Sequence, residues 1–291
     1  MVNDFNRDVE RLVQRVTTQT YQAIEADVAA KRIAWFDRVH AERQGGTPVT
    51  PRQAYELLLL EYLGLSEDEV PVMLETDRKI VWRSYNPCPT LEACIRLGLD
   101  TREVCRAVYE RSTQALLSRL DPQLRFVRSY DEIRPHADYC EEAIVWVDFD
   151  QMMRCAVAEA RQSISEGNKG YGAVVVRGDH VLAEGHDTAI TDGDPSLHAE
   201  FNAIRRAVRT SRDDSLYGAV LFSTCEPCPM CSSLAVWANV TSIVYGASIE
   251  ETARAGRKRI RIGANEVADR SPGVIEVVGG VLPDECCSLY I

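Results

Sequence analysis

A histidine, a glutamate and two cysteines are the residues of this sequence whose types and spacing could do chemistry. They stand in His198-Ala199-Glu200 and in Pro227-Cys228-Pro229-Met230-Cys231. Cysteines three positions apart at the start of a helix can aim both sulfurs at one ion. Two thiolates and one imidazole leave a fourth tetrahedral position for water, which is the composition of a catalytic rather than a closed structural zinc site. A helix start also places free N–H groups and positive dipole beside the thiolates and so favours their ionised form. Glu200, two residues after the histidine, is close enough to exchange protons at the open position without being a ligand. A structural site would want a fourth protein ligand. Cys225 is the close candidate, and it reads instead as a strand-end packing residue.

The elements that must position these residues follow from the pattern after about Asp150. A helix from about Asp150 to Ser165 carries Met152, Met153, Val157 and Ala160 on one side, and Glu166-Gly167-Asn168-Lys169-Gly170 breaks it. Two short apolar runs, Ala173–Val176 and Val181–Ala183, separated by Arg177-Gly178-Asp179-His180, predict a hairpin. A helix is expected from about Leu197 to Thr210, then strands at Ala219–Ser223 and Ser242–Tyr245 flanking a helix from about Pro229 to Ala238. This alternation predicts an α/β layer sandwich whose later strands run parallel.

His-x-Glu with Pro-Cys-x-x-Cys is the signature of zinc nucleobase deaminases, and the sequence resembles the cytidine and deoxycytidylate deaminase superfamily. Within it, residues 151–260 look most like bacterial guanine deaminases and their relatives. They share the run Cys225 to Cys231, Trp237-Ala238, Ala253-x-Ala255-Gly256, Gly172-Ala173 and Asp194-Pro195. The resemblance implies a three-layer α/β/α domain with a mixed central sheet, frequent dimerisation and a pocket for a planar amino heterocycle. Its implied assignments are zinc on His198, Cys228 and Cys231, proton transfer by Glu200, and substrate contacts from Asp187, Ala199, Pro227 and Trp237. One position departs from the pattern: relatives commonly carry Asn where this sequence has Asp187, after Gly185-His186. An ionised Asp only accepts hydrogen bonds, whereas Asn also donates. His186 reads as a loop residue without a role.

The first half is different. Phe5, Val9, Leu12, Val13 and Val16 recur at helical spacing. Thr50-Pro51-Arg52-Gln53 reads as an N-cap with a capping box ahead of Leu57–Leu60, and Gly64 as the stop. Asp100 and Glu103 form another cap-like pair, and Asp121-Pro122 ends that segment. Residues 1–145 therefore predict a mostly helical domain of unknown role, and residues 146–291 the zinc-dependent domain. Cys88, Cys94, Cys105 and Cys140 lack paired metal spacing and read as buried thiols.

At 291 residues, 45% hydrophobic and 26% charged, the chain has the composition of a globular protein of two domains. No leader-like segment or apolar run near 20 residues stands in it, so a cytoplasmic location without membrane contact is expected. Residues 1–150 carry −7 and residues 151–291 carry −4 of the net charge of −11. Neither half has the basic excess that a phosphate backbone requires. The basic run Arg254–Arg261 reads as a solvated face. The expected function is hydrolytic deamination of a guanine-like base, pterin or aminotriazine by a homodimer or higher homo-oligomer, without nucleic acid. The alternatives are a tRNA adenosine deaminase, disfavoured by charge, and a non-catalytic ligand-binding regulator, disfavoured by the intact Glu200.

Overall fold

The structure is a computed structural model that describes residues 2–40, 49–211, 215–271 and 275–290. It divides into two compact units, Met1–Val147 and Asp148–Ile291.

In the first unit helices dominate, as the periodicity predicts. Val2–Thr18 and Tyr21–Val39 are the longest of them. Thr50 accepts from the Gln53 N–H and the Gln53 side chain returns to the Thr50 N–H, so the capping box forms. The turn that follows is wound as a π-helix from Glu56 to Tyr62, and Gly64 takes a positive φ of 66° after it. A second π-helical stretch, Cys105–Glu110, leads into the helix Arg111–Leu120.

The helical pattern does not announce the four-stranded antiparallel sheet of this unit. Its strands are β1 (Val72–Thr76), β2 (Lys79–Ser84), β3 (Leu124–Arg128) and β4 (Cys140–Trp146), in the order β1-β2-β4-β3. Its core joins Phe36, Tyr55, Leu58, Trp82, Leu117 and Phe126.

The second unit begins with Asp148, whose side chain caps the helix Phe149–Ser165 by accepting from the Gln151 N–H. The hairpin follows as β5 (Gly172–Arg177) and β6 (His180–His186), turning through Gly178 at φ 60°. The helix Ala199–Ser211, strand β7 (Ala219–Cys225), helix Pro229–Trp237 and strand β8 (Ser242–Ala247) complete the expected order. A short strand, β9 (Glu276–Gly279), extends the sheet to β6-β5-β7-β8-β9. The sheet is mixed: β5 runs antiparallel to β6 and β7, while β7, β8 and β9 run parallel.

Strand alternation makes three layers. Ala173, Val175, Leu221 and Ile243 face Ala199, Ala203, Ile204 and Ala235 on one side. Phe222, on the opposite face, meets Phe149 edge-on at 5.3 Å. Both helical layers come close because the strands carry glycine at the contact. A Cβ on Gly172 would lie 2.0 Å from Ala156 O, and one on Gly185 2.6 Å from Ala203 N. Among the described residues no helix is long and apolar enough to cross a membrane.

Candidate active site

Three ends of elements meet at the site: the end of β6, the start of the Ala199–Ser211 helix, and the start of the Pro229–Trp237 helix. Cys228 is the N-cap of the last, with Pro229 at its first position, so Cys231 falls in the first turn and both sulfurs face the same way. The backbone brings His198 to them. Thr188 N donates to Leu197 O at 3.0 Å, and the Asn202 side chain donates to His186 O at 2.8 Å, which ties the chain after β6 to the residues before His198.

His198 Nδ1 lies 3.6 Å from Cys228 Sγ and 3.6 Å from Cys231 Sγ. A tetrahedral zinc with Zn–S near 2.3 Å and Zn–N near 2.0–2.1 Å would separate nitrogen and sulfur by roughly 3.6 Å. The donor set therefore fits the ion in chemistry and spacing, and it is the one such His/Cys/Asp/Glu group among the described residues. Cys225 is outside it. Its thiol is buried and pushed up to about 12, and it contacts Thr252 Oγ1 at 3.7 Å. The Cys228 thiol behaves oppositely: the hydrogen bond from Cys231, and then that from His198, hold it down to about 4. The Cys228 contact in turn raises the His198 imidazole, so this cluster favours a thiolate.

Glu200 lies in the first turn of its helix, 6% exposed, and burial pushes its carboxyl up. Ser223 Oγ stands 3.1 Å from Glu200 Oε1 and 2.8 Å from Cys225 O; its single proton serves one of them at a time. A buried carboxyl beside a thiolate, with its proton held more tightly than on a free carboxyl, has the properties of a proton carrier.

The remaining candidates separate. Ala199 is fully buried against the sheet, and Pro227 is buried with its carbonyl accepting from Ser232 Oγ at 3.1 Å. Trp237 is 76% exposed at the far end of the helix that Cys228 begins. Asp187 is fully buried; Oδ1 accepts from Ala189 N at 3.2 Å in an Asx-type turn, while Oδ2 has no hydrogen-bond partner among the described residues. Its charge acts on the His198 imidazole. His186 is not idle: its two ring nitrogens lie 2.7 Å from Glu159 Oε2 and 2.9 Å from Glu166 Oε2, joining β6 to the preceding helix.

Two residues were missed. Glu226 is a clamp whose Oε2 accepts from Ile249 N and whose Oε1 accepts from Ala264 N, both at 2.9 Å. Arg259, inside the basic run that reads as a solvated face, turns inward. Its Nη2 reaches Glu226 O at 2.8 Å and Cys225 Sγ at 3.1 Å, and its charge is felt by Glu200. The sequence signal for it was the run of cations itself, with nothing to say which one folds back.

Residues 147–247 match the family model of the cytidine and deoxycytidylate deaminase zinc-binding region. A guanine deaminase of Bacillus subtilis (strain 168) is 34% identical over 111 residues, 38% of this chain and 71% of that protein. A tRNA-specific adenosine deaminase of Haemophilus influenzae is 31% identical over 148 residues, 50% of this chain and 83% of its own length. The X-ray structure of the Bacillus subtilis guanine deaminase aligns with 38% of this chain and 71% of that one at 34% identity, with a TM-score of 0.37. A shared motif, relatives matched over more than two thirds of their length, and a His/Cys/Cys group of the right spacing give one conclusion: the chain belongs to the cytidine and deoxycytidylate deaminase family.

Proposed function

We propose that this chain is a zinc-dependent aminohydrolase that removes an exocyclic amino group from a free nucleobase or a related small amino heterocycle, releasing ammonia. The convergence of His198, Cys228 and Cys231 beside the buried Glu200 carries the reading. Zinc, when bound to these three residues, supplies the Lewis acidity that makes water a nucleophile near neutral pH. Glu200 would take one proton from the attacking water and give it to a ring nitrogen, then take the remaining proton of the added hydroxyl and give it to the amine as it leaves. Ser223 holds one oxygen of Glu200 and so orients the other. Asp187 Oδ2, enclosed and without a partner among the described residues, is the acceptor offered to a ring N–H or amino group. An unpaired buried acceptor costs free energy. A ligand donor would recover that cost.

A substrate-free discrimination by charge favours small heterocycles over tRNA, because the chain carries −11 overall. The tRNA-specific adenosine deaminase among its relatives makes tRNA the second reading. Ammonia release from a panel of guanine, pterins, aminotriazines and nucleosides, run beside tRNA substrates, decides between them. Turnover of tRNA with none of the small heterocycles would overturn the first reading.

A further inference from the structure

The first unit contains a cavity of about 1150 Å³ bounded by the Val2–Thr18 and Tyr21–Val39 helices, both π-helical stretches and the sheet. That volume is somewhat larger than the roughly 300–1,000 Å³ of most small-molecule sites. Apolar side chains, among them Leu58, Leu59, Trp82 and Phe126, form part of its wall. Its charge is opposite to that of the protein: six basic side chains line it against three acidic ones, in a chain of net charge −11.

The three acids are already engaged. Asp8 pairs with Arg11 at 3.4 Å, and Asp27 with Arg15 at 2.7 Å and Lys31 at 2.8 Å. Glu142 accepts from Arg128, from Trp82 Nε1 at 3.0 Å and from Ser84 Oγ at 2.9 Å. Among the described residues, two of the lining arginines are left without an acid. Arg32, 6% exposed, donates to neutral acceptors among the described residues, including Thr113 Oγ1 at 2.5 Å, Ser112 Oγ at 3.1 Å and Tyr109 O at 3.4 Å. Arg134 donates to Asn86 O at 2.8 Å.

Each of the three arginines that line the cavity from a different element retains a buried N–H without a partner among the described residues. These are Arg32 Nε, Arg128 Nη1 and Arg134 Nε. Burying a cation without an anion is costly, and three arginine side chains with unfilled hydrogen-bonding capacity lining one cavity suit an anionic head group. The thiols of Cys88, Cys105 and Cys140 line the same space, and Arg134 N donates to Cys140 Sγ at 3.5 Å.

From this we infer that the first unit is a binding site for an organic anion, with a phosphate or carboxylate head held by Arg32, Arg128 and Arg134 and an apolar body against Trp82, Phe126 and Leu58. None of the residues that line the cavity is a proposed zinc ligand; those all belong to the second unit.

The experiment is titration calorimetry of the zinc-loaded full chain with phenyl phosphate, with benzoate, and with neutral benzyl alcohol, together with mass mapping of maleimide labelling at Cys88 and Cys140. Saturable binding of one or both anions, slower labelling of these cysteines and no binding of the alcohol are expected; which anion binds identifies the head group. Arg134→Gln, a half-buried position, and Arg32→Lys should each weaken the anion at least tenfold while circular dichroism stays unchanged. Labelling on the wild-type chain decides the matter even where a variant misfolds. Absence of anion binding, equal binding of the alcohol, or binding that leaves both cysteines unprotected would overturn the inference.

Discussion

Ser223 Oγ sits 3.1 Å from Glu200 Oε1, so the carboxyl assigned to proton transfer is held by a hydroxyl from the centre of the sheet. The holding group comes from β7, and the held group from the first turn of a helix on its face. The orientation of Glu200 is therefore built into sheet packing and not left to a loop.

Glu200→Gln should retain zinc and fold and lose most turnover, since the amide has nearly the same shape but cannot accept the proton. General acid/base groups contribute about 100- to 10,000-fold. The check is steady-state kinetics beside metal analysis, and activity within a few-fold of wild type would remove Glu200 from the mechanism.

One zinc per chain is expected, and His198→Ala should lose most of it, because two thiolates alone leave the tetrahedral set half built. Elemental analysis of purified variants measures this directly. Treatment with a chelator should abolish ammonia release, and added zinc should restore it.

Asp187→Asn should change substrate preference with little change in melting temperature. The Asx-type bond from Ala189 N can be kept by the amide oxygen, while the second oxygen becomes a donor. A charge-assisted bond of about 1.5–3 kcal/mol corresponds to roughly 10- to 150-fold in relative catalytic efficiency between heterocycles that offer a donor and those that do not. Uniform loss toward every substrate with a lower melting temperature would make Asp187 a turn residue only.

Glu142→Leu should destabilise the first unit by about 3–5 kcal/mol, because it leaves the Arg128 guanidinium buried without its carboxylate. Denaturant unfolding followed by tryptophan fluorescence would report it, since Trp82 Nε1 loses the same acceptor.

A fragment that begins at Asp148 should fold and bind zinc, because that residue caps its first helix and all three proposed ligands follow it. Starting instead at Glu142 would carry most of β4 away from its partners in the first unit. A well-folded Asp148–Ile291 fragment without zinc would show that the two units make one site.

Local signals explain what the sequence discloses. Thr50 with Gln53, Gly178 between two apolar runs, and Cys228 with Cys231 are each complete within a few residues, and each takes the expected form. The first unit's sheet is different in kind. Strand β2 does alternate, burying Ile80, Trp82 and Ser84, but its partner β4 lies about sixty residues away and β1 is mostly exposed. The Arg128–Glu142 pair forms only because β3 pairs with β4, and the inward turn of Arg259 reaches back 33 residues to Glu226. No short window of sequence contains both members of such contacts.

Glu226 accepts from Ile249 N and Ala264 N with its two oxygens, so both ends of the intervening segment are fastened to a single side chain next to the cysteine motif. That makes the segment a replaceable cassette. Closure entropy grows slowly with loop length, about 0.6 kcal/mol for each doubling. Residues inserted near the exposed, positive-φ Gly256 should leave zinc content unchanged. The stretch that holds Arg259 over the site can thus diversify in length and charge while the fasteners, and the metal motif beside them, stay where they are.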